Sequence, residues 1–187
     1  MNLYIPIILG TARAGRESEK AVDYVLSEVR GRTEIETEII DVRDYRLPAT
    51  DNSEESEQAK RWGERAEKAD GFIIITPEYN HGYPGELKMF LDMIYDQYAR
   101  KPVAICGVSD GVLGGARMAE QLKLVLLEFH MMPVGSVYFA KVNTLFGNGK
   151  IMDELYYQKR LERTLNELTW WAEALKRARR VLWKYIA

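Results

Sequence analysis

Short apolar runs alternate with longer helical patterns five times along this chain, and that alternation narrows its fold more than any other feature. A strand buried on both faces reads as a continuous apolar run, whereas an amphipathic helix spaces its apolar residues by three and four. Parallel neighbours need a long crossover, which a helix supplies, so repeated strand–helix units close around a parallel sheet. The sequence therefore predicts an α/β protein with strands at residues 3–9, 34–42, 71–76, 102–108 and 132–139. Helices are expected over about residues 18–30, 54–69, 86–98 and 115–129. The first of these buries Ala21, Val22, Val25, Leu26 and Val29 on one face. The second strand mixes Ile35, Thr37, Ile39 and Asp41 with more polar neighbours and suits a sheet edge, while Phe72 to Ile75 suit its centre. Pro6 removes a ladder donor, so pairing of the first strand is expected to begin at Ile5 or Pro6.

Beyond residue 150 the spacing of Leu161, Leu165, Leu168, Ala172, Leu175, Ala178 and Leu182 continues a helical pattern to the terminus. Unbroken over residues 152–183, it would run about 48 Å at 1.5 Å per residue. A domain of this size spans roughly 30 to 40 Å, so the helix is expected to bend or to project against a partner. Trp170, Trp171 and Trp183 add apolar surface beyond one buried stripe, which points either to contact with another subunit or to packing on the chain's own sheet. Its charge is uneven as well. Residues 159–184 hold eight basic and three acidic side chains, and Lys176, Arg177, Arg179, Arg180 and Lys184 read as a solvated helix face.

The chain has 187 residues, which fits a single domain of residues 1–187 with a core at 1–140 and a helical segment at 151–187. With 26 Lys and Arg against 28 Asp and Glu, the net charge of −2 argues against general affinity for nucleic acid or anionic membrane. Cys106 stands alone in an apolar run, so it forms no internal disulfide and no paired-cysteine metal or redox motif. Residues 3–9 are short, lack a basic leader and fit a strand rather than a signal peptide. These features imply a soluble, cytoplasmic protein with no metal-ligand pattern.

In an open parallel sheet, ligands collect at the carboxyl ends of the strands. Three loops lie there. Residues 10–18, Gly-Thr-Ala-Arg-Ala-Gly-Arg-Glu-Ser, lead into a helix and combine backbone N–H groups, hydroxyls and arginines, as a phosphate site requires. The same residues could form an ordinary turn with Ser18 as helix cap. Residues 76–85 join two prolines and two glycines to Tyr79, His81 and Tyr83, a rigid and flat-sided setting for a planar ring, or a self-packed loop. His81 reads more readily as a loop histidine than as an acid or base, because no Ser or Cys nucleophile is placed to use it. Residues 107–115 carry four glycines, which allow close approach of a ligand or neighbouring chain, or simply cap the next helix.

Together, Gly10-Thr-Ala-Arg-x-Gly-Arg-x-Ser18, Pro77-Glu-Tyr-Asn-His-Gly-Tyr-Pro-Gly85 with Leu87-Lys88, and Ser109-x-Gly-x-x-Gly-Gly-x-Arg117 resemble the NAD(P)H-dependent FMN reductase family. The resemblance implies a flavodoxin-like three-layer sandwich with strand order 2-1-3-4-5 and an extended C-terminal helix. It also implies bound FMN, with NADPH or NADH as co-substrate. Carried over by position, Thr11, Arg13 and Ser18, with Arg16, would hold the phosphate. Pro77, Glu78, Tyr79, Asn80 and His81 would line the flavin ring, and Ser109 and Gly111 would approach it. Lys88 and Asp92 are expected to form a structural ion pair. Hydride would pass from the nicotinamide to the flavin and then to a small-molecule electron acceptor, such as a quinone, flavin or azo compound, without a protein acid or base. The family habit implies a homodimer or homotetramer. An electron carrier of flavodoxin type is a rival reading, as is a flavin-free binding module with the same sheet.

Overall fold

A computed structural model describes residues 2–46, 56–147 and 150–182. The apolar runs form β1 (Leu3–Tyr4), β2 (Ile7–Leu9), β3 (Ile35–Glu36), β4 (Ile39–Asp41), β5 (Phe72–Pro77), β6 (Pro102–Ser109) and β7 (Met132–Ala140). Between and after them lie α1 (Ser18–Arg30), α2 (Glu57–Lys68), α3 (Gly85–Leu91), α4 (Ala116–Glu128), α5 (Val142–Leu145) and α6 (Glu154–Leu182). The main sheet is parallel in the order β4-β2-β5-β6-β7. β1 pairs with β3 in the same register as β2 with β4, Leu3 opposite Ile35 and Ile7 opposite Ile39, so the four segments form two interrupted strands. Counted so, the order is 2-1-3-4-5, the flavodoxin-like arrangement.

Pairing begins earlier than the proline suggests. The N–H groups of Leu3, Ile5 and Ile7 donate to the carbonyls of Glu34, Glu36 and Glu38 at 2.8, 2.9 and 2.8 Å. The donor that Pro6 lacks falls on the opposite side, just ahead of the first residue of β5, and the Pro6 carbonyl still accepts from Ile73 at 3.1 Å. Proline thus interrupts the strand without cancelling its edge.

Alternation divides the core into two layers. Ile7, Leu9, Ile73, Ile75, Ala104, Cys106 and Val108 face α1 and α6. Ile8, Phe72, Ile74, Val103 and Ile105 face α2, α3 and α4. Cys106 is fully buried, and burial pushes its thiol up to about 12. α2 starts at Glu57, with the Ser56 hydroxyl accepting from Ala59 N–H at 3.0 Å; the start expected at about residue 54 lies outside the described residues. α3 is shorter than expected, ending at Leu91 ahead of a 3-10 turn at Asp96–Tyr98. A continued helix would point Met93 away from the stripe of Leu87, Phe90 and Ile94. The break buries it, and Trp62 Nε1–H reaches the Tyr98 hydroxyl at 2.7 Å.

α6 runs unbroken from Glu154 to Leu182 and packs along the chain's own sheet. Its 29 residues span about 43 Å at 1.5 Å per residue. Tyr157, Leu161, Leu165, Leu168 and Ala172 are buried in the layer shared with α1. Past Ala172, charge takes over: Lys176 Nζ lies 2.6 Å and Arg179 Nη2 3.5 Å from the buried Asp70 carboxylate, and Arg179 also donates to the Arg100 carbonyl at 2.7 Å. Two of the cations expected on a solvated face therefore fasten the helix to the amino ends of the strands. Arg177 does remain exposed, while Trp183 and Lys184 lie outside the described residues. Trp170 stays exposed beside Trp171. Among the described residues, no helix is long and apolar enough to cross a membrane.

Beside this cluster the buried Lys101 Nζ donates to the carbonyls of Ala66 and Glu67 at 2.6 and 3.0 Å. Burial, assisted by Arg179, lowers its ammonium from 10.5 to about 8. The unfolded chain then binds more protons than the folded one between these values, so the Lys101 contribution to stability rises with pH across that window. Urea titrations at pH of about 7.5 and 10 should show the wild type gaining on the order of 1–3 kcal/mol relative to Lys101→Met. Equal responses of the two proteins would contradict this.

Candidate functional site

The loops after β2, β5 and β6 meet at the carboxyl ends of the central strands, where strand order reverses. They enclose a cavity of about 580 Å³ whose walls include Arg13, Ser18, Pro77, Tyr79, Ser109 and Gly111. Arg16 and Glu78 also border it, and α5 adds Asn143. Thr11, Asn80 and His81, the other residues singled out from sequence, stand behind the wall or beside it.

Thr11 is fully buried, its Oγ1 3.3 Å from the Tyr79 hydroxyl and 3.3 Å from the Arg13 N–H that donates to it. The loop then turns through Gly15 at a φ of +65°, and α1 begins. Ser18 is the first helical residue rather than the cap; Glu17 takes that position without a side-chain cap bond. The Ser18 hydroxyl is buried and has no protein partner. Among the described residues, the N–H groups of Ala14, Gly15, Arg16 and Glu17 likewise donate to no protein acceptor. An unpaired hydroxyl and a row of N–H groups at a helix N-terminus suit a phosphoryl group, since such donors stabilise negative charge.

The two arginines of the loop have separate tasks. Arg13 is exposed, with its guanidinium 5.3 Å from the centre of the Tyr79 ring. Arg16 is buried, donating to Asp41 Oδ1 at 2.8 Å, to Glu19 Oε1 at 3.0 Å and to the Thr11 carbonyl. Its guanidinium is thus engaged by protein groups, and it supports the loop from within. Arg43 completes the support, donating to the Ala12 carbonyl at 3.2 Å and to the Arg13 carbonyl, while its own N–H donates to Asp41 Oδ1 at 2.9 Å.

The second loop crosses the sheet end as a two-residue turn. Tyr79 and Gly82 exchange N–H···O bonds of 2.9 Å in both directions, with Asn80 and His81 at φ of 49° and 68°. Positive φ at both central positions defines a type I′ turn, which Asn tolerates well. Asn80 and His81 are exposed at its tip, so neither is buried against a ring. Glu78 points the other way: Arg117 Nε donates to it at 2.9 Å and Met118 N–H at 3.4 Å, which braces the loop on the start of α4. Lys88 and Asp92 form the expected i, i+4 pair at 2.7 Å.

In the third loop, glycine serves the fold more than the cavity. A Cβ on Gly107 would lie 2.7 Å from the Gly114 carbonyl oxygen, and one on Gly115 3.0 Å from Gly107 Cα. Gly114 and Gly115 also take φ of +58° and +93°. Gly111 alone of the four borders the cavity, its N–H donating to Ser109 Oγ at 3.0 Å. Asp41, Arg43 and Asn143 were not found from sequence as site residues, and Arg117 entered only as the last residue of the third motif. Only Asp41 carried a signal, an acid closing a strand next to a loop with two arginines.

Residues 3–144 match the family described as NADPH-dependent FMN reductase. An NAD(P)H-dependent FMN reductase of Schizosaccharomyces pombe is 35% identical over 130 residues, 65% of this chain and 64% of that protein. The chain thus spans just under two thirds of that relative. A quinone reductase of Pseudomonas putida is 29% identical over 160 residues, 80% of this chain and 85% of its own. The solved flavoenzyme NAD(P)H:(acceptor) oxidoreductase FerB of Paracoccus denitrificans has the same fold, with a TM-score of 0.72 at 24% identity over 89% of this chain and 97% of that one.

Burial opposes ionisation of Asp41, but the Arg16 hydrogen bond and the Arg43 N–H outweigh it and hold the carboxyl below its ordinary value. A lowered folded value means the stabilisation is fully present above the unfolded pKa, about 3.9, and is lost as pH falls through the folded one. Asp41→Asn should therefore cost about 1–3 kcal/mol in urea titrations at neutral pH, a gap that narrows below about pH 4. A gap that persists unchanged in acid would contradict the assignment.

Proposed function

Because the chain belongs to the NADPH-dependent FMN reductase family, we propose that it binds FMN in this cavity and passes electrons from NADH or NADPH to a small acceptor. The buried, unpartnered Ser18 hydroxyl beside the free N–H groups of the first loop carries this reading. Arg13 and Ser18 hold the phosphate, Arg13 supplying a charge and the start of α1 its oriented donors, while the buried Thr11 hydroxyl sets the loop behind them. Pro77, Glu78 and Tyr79 supply one wall for the flavin ring, with Asn80 and His81 on the turn beside it, and Ser109 and Gly111 supply the other. When bound, the flavin accepts a hydride from the nicotinamide and returns two electrons to the acceptor. The cavity walls would position the ring, and nicotinamide and acceptor binding in turn at the same cavity would give ping-pong kinetics. No side chain is assigned proton transfer.

Quinones, flavins and azo compounds are the acceptor classes this reading favours, the names of two relatives supporting the first two. Exposed Trp170 and Val181 on α6, with Leu124 and Leu127 on α4, support a homodimer or homotetramer. A buried, unreactive Cys106 is compatible with a cytoplasmic setting.

The purified protein should be yellow or take up FMN, and anaerobic NADH or NADPH should bleach it. Protein that stays colourless with added FMN would overturn the reading, and colour that neither nucleotide bleaches would favour an electron carrier. Ser18→Ala and Arg13→Ala should weaken FMN binding about 10-fold and about 10- to 100-fold, as expected for hydrogen bonds to a charged group. Flavin fluorescence quenching measures both.

A further inference from the structure

Three successive carbonyls at the start of the first loop, those of Thr11, Ala12 and Arg13, all end on guanidinium donors, one on Arg16 and two on Arg43. A trans peptide is planar, with its C=O and the following N–H pointing in opposite directions. Fixing a carbonyl therefore aims the next N–H. The Arg13 carbonyl held by Arg43 aims the N–H of Ala14, a residue of the cavity wall, away from Arg43. Arg43 itself lies outside the cavity wall, on a 3-10 turn at Val42–Tyr45 that follows β4. Its N–H is held by Asp41 at 2.9 Å, and its Nη1 lies 3.4 Å from Glu19, which also takes Arg16 Nε at 3.0 Å. Strand end, loop and helix start are thereby joined in one network.

We propose that Arg43, with Asp41 and Arg16, is a positioning residue for the phosphate: it keeps carbonyl oxygens off the anion and turns the Ala14 N–H toward it. This rests on the FMN reading and adds to it a residue that touches no part of the flavin. A carbonyl facing a phosphate repels it, whereas an N–H attracts it, so one flipped peptide changes the site twice over. A flexible loop could expose either group. Two guanidinium anchors leave it one choice.

Riboflavin, which has the same ring and no phosphate, separates this role from a general structural one. In wild type and Arg43→Ala, affinities for FMN and riboflavin are measured by fluorescence quenching, with circular dichroism to check folding. Arg43→Ala should weaken FMN binding by about 10-fold or more and leave riboflavin within about twofold, as expected when donors to a charged group are lost. Arg43→Lys, which keeps the charge but lacks the planar guanidinium fork, should fall between and remains informative if the alanine variant unfolds. Equal losses for both flavins, or no loss for FMN, would overturn the proposal while leaving the flavin reading intact. A wild-type protein that binds no FMN would remove both.

Discussion

Helices cover both faces of the parallel sheet, so buried polar groups can gather only at its two ends, where backbone donors and acceptors are left over. Each end carries one network of arginines, lysines and carboxylates. At the amino end, Asp70 takes Lys176 and Arg179 from α6, and Lys101 closes the last carbonyls of α2. At the carboxyl end, Asp41 takes Arg16, and Arg43 takes the carbonyls of the first loop. The first network holds the long helix; the second shapes the cavity.

This division explains why so little of the apparent binding equipment is free. Of two arginines in the first loop, Arg13 is exposed, whereas Arg16 is buried against Asp41. Glu78 belongs to a signature loop yet spends its carboxylate on Arg117 and the N-terminus of α4. Three of four glycines in the third loop serve contacts between backbones. What remains for a ligand is one cation, one orphan hydroxyl, a row of N–H groups and two stiff walls. For a cofactor that brings its own redox chemistry, position and charge are what a protein must supply.

Much of the fold was legible because hydrophobic periodicity is local. The two-layer burial of Ile7 and Ile8, or Ile73 and Ile74, follows from strand alternation, and α1 runs over the residues that its apolar face marks out. Departures came where a distant partner decided a local choice. α3 stops at Leu91 and Met93 is buried beyond its end, and Pro6 is accepted because its missing donor falls short of β5. The cations of α6 looked solvated only because Asp70 lies 106 residues from Lys176 in the chain.

By itself, then, the sequence determined the parallel sheet, the order of its units, the loops at its ligand-bearing end and the family that their motifs resemble. These depend on residue type and short spacing, which a chain displays before it folds. Tertiary structure alone decided which charged groups were left over. Arg16 and Asp41 are 25 residues apart, and strand pairing brings them together. Whether an arginine is a ligand's partner or a loop's support depends on what the sheet places beside it, and that neighbour cannot be read from spacing.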